Sequence, residues 1–323
     1  MLLNKCLLGS SLIGMTLCTN PVLANLLPAQ WQQTNAGVFS ASAEGQYYMQ
    51  SYNLLSDGDT ILNDEPGSIV EQYPLFNSQK NNSWGYRANL GYLFPNHDWD
   101  IRASYTQILD SGSNKSLALD DLNFSGTTEQ KNTYDFQAAD LTLGYFMPFS
   151  NWFDIRLGFG VAYADIKQHA KNTVIDVDTT VVDSAFKTTY SGIGPKFSIS
   201  TAYAFDTNFS LVTDLGFAAL FGSSKATGNF ALGDNFENQE LSTKKSAQFS
   251  PAVDGKLGLN YTHRLTHCSR WNIELGYRGA YYSDALQDEA NAFDGVGSDD
   301  RDPFSKTDYF NHGPYLSVGF DFM

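Results

Sequence analysis

Fourteen ionisable residues carry whatever chemistry this chain has: Glu44, Arg87, Asp100, Arg102, Asp140, Asp154, Arg156, Lys196, Asp214, Asp254, Lys256, Glu274, Arg278 and Asp321. Each falls on the polar side of a segment whose side chains alternate between apolar and polar. Acids and bases set two residues apart on one face of a strand can do one of two things. Along a narrow aqueous path they sort ions by charge. Turned toward one another across a small interior, they pair and fill it. Both readings stay open from the residues alone.

Other chemistries find less support. Asp57, Asp59, Asp64, Glu65 and Glu71 form one acidic run, and Asp284, Asp288, Glu289, Asp294, Asp299, Asp300 and Asp302 form another. Carboxylates of this kind suit hard cations, but Asp294-Gly295 lacks the regular spacing of a calcium loop, and a solvated surface is the simpler account. His263, His267 and Cys268 lie close in sequence without a metal-site spacing. No Ser–His pairing is marked. Ten-stranded omptin proteases need an Asp-x-His pair, and none of His97, His169, His263, His267 and His312 has an aspartate two residues before it. No catalytic residue, metal or cofactor is assigned, and the chain is not expected to be an enzyme.

The elements that must position these charges are read from a period of two. From Trp84 the even positions run Trp84, Tyr86, Ala88, Leu90, Tyr92, Phe94 against Gly85, Arg87, Asn89, Gly91 and Leu93. After Pro95-Asn96-His97-Asp98 the odd positions become apolar, Trp99, Ile101, Ala103 and Tyr105. This is a hairpin, and it repeats. Alternating strands are expected near 37–52, 134–147, 153–163, 192–205, 209–221, 247–263, 271–281 and 308–322. Long polar connections at 53–82, 111–133, 167–189, 223–246 and 283–307 alternate with short turns.

That makes ten strands, with eight or twelve as alternatives, in an all-β transmembrane antiparallel barrel. Long connections sorted to one end and short turns to the other are the mark of an outer-membrane barrel with short periplasmic turns and five long extracellular loops. A soluble sandwich has no reason to sort loop length by parity.

Composition agrees. Mean hydropathy is -0.29, and no segment of the mature chain approaches ~18 consecutive apolar residues, which excludes a helical membrane protein. Twenty basic residues against 35 acidic ones give a formal charge of -15, which argues against nucleic acid as a partner. Residues 1–24 read as a secretory signal, with Lys5 ahead of an apolar stretch and Val22-Leu23-Ala24 as the cleavage site. Residues 25–36 form a periplasmic lead-in and 37–323 the barrel. Loss of the signal removes Cys6 and Cys18, leaving Cys268 with an intermolecular disulfide as its one pairing option.

Trp84–Phe94, Asp100–Thr106 and Gly192–Lys196 (GIGPK) resemble the Legionella-type major outer-membrane protein family of pore-forming proteins. The resemblance implies an outer-membrane barrel acting as a porin, with some members linked to adhesion and no catalytic residues. The expected function is passive diffusion of ions or small hydrophilic solutes, with cations preferred because lumen and loops are net acidic. The alternative is a plugged structural or adhesive surface protein that recognises partners through its loops. The expected partners are outer-membrane lipid and lipopolysaccharide, periplasmic chaperones, the barrel-assembly machinery, further copies of the chain and a host surface.

Overall fold

The computed structural model describes residues 37–51, 59–61, 72–74, 81–109, 113–121, 124–150, 152–176, 179–232, 239–242, 246–266, 268–287 and 306–323. The expected signal and lead-in, at 1–36, lie outside the described residues. The strands are β1 (Val38–Ser51), β2 (Asp59–Ile61), β3 (Gln72–Pro74), β4 (Asn81–Leu93), β5 (Trp99–Ile108), β6 (Ser113–Asp121) and β7 (Phe124–Ser150). They continue as β8 (Phe153–Asp176), β9 (Thr179–Ala204), β10 (Phe209–Leu232), β11 (Gln239–Ser242), β12 (Ser246–Arg264), β13 (Ser269–Gln287) and β14 (Lys306–Phe322).

Ten of these close into an antiparallel barrel in the order β1-β4-β5-β7-β8-β9-β10-β12-β13-β14, and β14 pairs back to β1. Closure leaves no unpaired edge, which the lipid interior requires because it offers backbone N–H and C=O groups no water. β2 and β3 pair only with each other, β6 extends the β5 side against β7, and β11 lies against β10.

The stagger follows from the register. Paired residues lead from Gln46 through Gly85, Ile108, Phe136, Ile166, Tyr190 and Ser224 to Ser246 on β12. In the other direction they lead through Tyr315 and Gly276 to Gly258, twelve residues further along that strand. At about 3.3 Å per residue and 4.8 Å between strands, this stagger tilts the strands by about 40° and gives a backbone cylinder about 20 Å across.

The alternation becomes two faces with different solvents. Outward side chains are apolar and exposed over a continuous band, including Leu90 at 64%, Phe159 at 62% and Leu275 at 60%. So much exposed apolar surface is intolerable in water and suits lipid. Trp99, Trp152, Tyr203, Phe205 and Phe322 mark one edge of the band and Trp84, Phe221, Phe249 and Tyr281 the other, the positions of interfacial aromatic girdles.

The strands run further than the apolar pattern predicts. β7 starts at Phe124, β8 and β9 continue to within two residues of each other at Asp176 and Thr179, and β10 reaches Leu232. The expected connections at 111–133, 167–189 and 223–246 are thus largely strand. Beyond the lipid the outward face meets water and the buried inward face is itself largely polar, with Asn132, Gln168, Ser184 and Thr188 beside Ala170 and Phe186, so apolar alternation stops while backbone pairing continues. A strand needs ~9–11 residues to cross the bilayer, and β7 has 27, so β7–β10 stand well clear of the membrane at the long-connection end.

Candidate functional site

All fourteen charges sit on the inner face. Twelve line a central cavity of about 270 Å³, and Glu44 and Asp100 lie beside it, 3% exposed each, bound to lining arginines. Arg270 joins them. The expected turn took in Arg270, but β13 begins at Ser269, and Arg270 Nε donates to Asp321 Oδ2 at 2.8 Å. Its even-numbered phase with Asn272 and Glu274 is the signal that could have placed it inside.

Most of the charges are paired along the inner wall, between strands no more than two apart in the barrel. Once the strand stagger is taken out, Arg87, Asp140, Lys196, Asp254 and Arg278 stand at one height and form a belt. Lys196 Nζ reaches Asp254 Oδ1 at 2.8 Å and Asp140 Oδ2 at 3.5 Å, and Arg87 Nη2 meets Asp140 Oδ2 at 3.2 Å. Four side chains from β4, β7, β9 and β12 thus form one chain of alternating sign. Arg278 faces Glu44 at 3.2 Å, an ion pair not aligned for a hydrogen bond. Toward the short-turn end, Lys256 bonds Glu274 at 2.7 Å and the Tyr315 hydroxyl also donates to Glu274. Asp100 takes both Arg102 at 2.7 Å and Arg156 at 2.8 Å.

Glycine on the inner face makes this crowding feasible. A Cβ on Gly144 would overlap the Arg156 guanidinium and the Asp100 carboxylate, and one on Gly258 would meet the Tyr315 hydroxyl. The space at Gly144, Gly158, Gly216 and Gly258 is taken by neighbouring side chains, and that at Gly160, Gly194 and Gly222 by the backbone of an adjacent strand.

On the long-connection side of the belt the interior turns apolar. Tyr48, Ile108, Phe136, Ile166, Tyr190, Leu220, Tyr282, Leu286 and Tyr309 pack as one buried cluster with alanines between them. Phe136, Tyr282 and Tyr309 meet as three rings, with centroids 5.5 to 6.1 Å apart. Only about 50 Å³ of space remains between this layer and the belt. The layer was missed from sequence because the lumen was read from its charged residues, although Phe136 is in phase with Asp140 and Tyr282 with Arg278.

The outer end of β13 covers this layer. A register shift between Tyr282 and Leu286, with Asp284 at φ 52°, turns the strand inward. The Gln287 backbone N–H then donates to Thr188 Oγ1 of β9 at 3.2 Å, and Ala285 and Leu286 are fully buried. The Ser250 hydroxyl donates to Ser283 O at 2.7 Å, and the Asp284 N–H donates to Asp308 Oδ1 at 2.9 Å, which hold the bend.

The remaining candidates lie elsewhere. Cys268 sits in the β12–β13 connection, half-buried, with its N–H donating to Thr266 Oγ1 and its carbonyl accepting from the Met323 N–H. His312 faces outward against the Tyr277 hydroxyl. Among the described residues no group of three or more His, Cys, Asp or Glu is placed to hold a metal ion. The acidic runs at 57–71 and 288–302 fall mostly outside the described residues.

The model of the family described as Legionella pneumophila major outer membrane protein precursor matches residues 38–322. No curated protein matches the chain. Among solved structures, the outer membrane protease OmpT from Escherichia coli is 12% identical, with TM-score 0.40, covering 91% of this chain and 99% of that one. A major outer membrane protein from Thermus thermophilus is 13% identical, with TM-score 0.34 and coverage of 89% and 100%. The Pseudomonas putida toluene transporter TodX is 10% identical, with TM-score 0.33 and coverage of 94% and 93%.

Proposed function

The chain belongs to the family of the Legionella pneumophila major outer membrane protein, and from that premise we propose that it is a narrow outer-membrane channel for ions and small hydrophilic solutes, closed in the conformation described above. One observation carries the reading. The membrane-spanning interior keeps a polar chamber of about 270 Å³ lined by twelve charged side chains, space that charges paired so as to fill the interior would not leave. The belt and the aromatic layer divide this chamber from the long-connection end, so conduction requires their rearrangement. Rows of ion pairs suit such a gate, because each charge can exchange one partner for another or for water.

Cation preference, on this reading, comes from the acidic connections. The chamber lining has six acids and six bases, which gives weak selectivity. No catalysis is assigned. Planar-bilayer recording of the refolded barrel tests the channel: small, infrequent steps are expected, and silence at every voltage from a folded barrel overturns it.

A second reading rests on a separate observation. β7–β10 project beyond the lipid-facing band as a paired wall, which suits recognition of a host surface. Truncation of that wall would abolish adhesion by cells displaying the protein if this reading holds, and unchanged adhesion rejects it.

A further inference from the structure

The chamber on the short-turn side of the belt is balanced in charge but unevenly paired. Asp100 is shared by two arginines. Among the described residues, two lining carboxylates, Asp154 and Asp214, have no cationic nitrogen within 4.0 Å. Asp214 accepts from Ser200 Oγ at 3.1 Å. Asp154 is 6% exposed, and its Oδ1 has no hydrogen-bond partner. The Asn260 Oδ1 is a second unsatisfied acceptor on the same lining, its amide nitrogen being used on Thr262 at 3.2 Å.

The sequence around Asp154 explains why the chain supplies no partner. Its cross-strand neighbours are Pro148, which has no N–H, and Ala202, which has no polar side-chain atom. Arg156, the next inward residue on β8, is turned over Gly144 to bond Asp100 and Thr142. A buried carboxylate with neither a counter-charge nor a donor is costly. An exogenous positive charge removes that cost.

We propose that this end of the lumen is a binding site for a small monovalent cation, with Asp154 as its charged ligand. Calcium would draw on six to eight oxygens, commonly with several carboxylates. The other carboxylates here are held by arginine or lysine, or by Ser200. One free carboxylate suits a single charge that keeps most of its water shell. The site deepens the channel reading, but its occupancy does not depend on conduction.

The test is anomalous diffraction from crystals of the detergent-refolded protein soaked in rubidium chloride. A rubidium peak against the Asp154 carboxylate is expected in the wild type and in Asp214→Asn, and it is lost in Asp154→Asn. No peak in the wild-type chamber overturns the site, as does a peak kept or lost in both variants. A barrel silent in bilayers that still shows the peak would reject the channel and leave the cation site standing.

Discussion

The rings of Phe136 and Tyr282 meet with centroids 5.6 Å apart, although β7 and β13 lie on opposite sides of the ten-stranded barrel. Two inward side chains therefore close a cylinder about 20 Å across. Tyr309 stacks on Phe136 and completes the layer. Below it the ion-paired belt spans the same lumen. Closure thus combines an apolar layer, which excludes water, with a charged one, which water and salt can loosen.

Lys196 holds two carboxylates from β7 and β12. Substitution Lys196→Met leaves Asp140 and Asp254 with one cation fewer between them, and breaking a buried pair costs about 3–5 kcal/mol. Urea unfolding of the refolded protein, followed by tryptophan fluorescence, is expected to show a loss of that order. Adding Asp254→Asn to Lys196→Met should recover part of it, since the stranded charge is then gone. A Lys196→Met variant as stable as the wild type would mean that the bridge contributes nothing.

Gly144 is expected to be intolerant where Gly45 is indifferent. A methyl on Gly144 pushes apart the Arg156–Asp100 pair, and overpacking of that kind costs about 1–3 kcal/mol. Gly45 has nothing within 4 Å of its added Cβ, so Gly45→Ala should be neutral or gain about 0.4–1 kcal/mol through the unfolded chain. Equal unfolding midpoints for the two variants would contradict the crowded interior.

The tips of β8 and β9 lie beyond the lipid-facing band, so the barrel should not need them. Replacement of residues 173–183 by a two-residue Asn-Gly turn, which keeps the Asn172–Ser184 pair, is expected to leave assembly and heat-modifiable gel migration unchanged. A barrel that no longer folds would mean that the projecting wall helps close it.

The barrel was legible because lipid and lumen impose a strict period of two, and that period placed Arg87, Asp140, Lys196 and Asp254 inside without any knowledge of their contacts. The same rule concealed the aromatic layer. Phe136 is in phase with the inward charges and Tyr282 falls just past the expected strand at 271–281, but neither carries a charge that marks the lumen, and only three-dimensional packing reveals that the lumen has its own apolar zone. Arg270 was lost at a strand boundary, where the turn residues around Thr266 blur the phase. The outer reaches of β7–β10 were unreadable for another reason, since polar residues such as Gln168, Ser184 and Thr188 on the buried inward face remove the contrast that alternation reports. The inward bend at Asp284 depends on bonds to Ser250, Asp308 and Thr188, partners too distant in the chain for local sequence to announce.

Single-channel conductance of the wild type beside the Phe136→Ala/Tyr282→Ala variant tests closure of the lumen most directly. The wild type is expected to give small, infrequent steps, and the variant, with its two opposing rings removed, steps several-fold larger. Large steady steps in the wild type that the double substitution leaves unchanged would contradict a lumen closed by this layer.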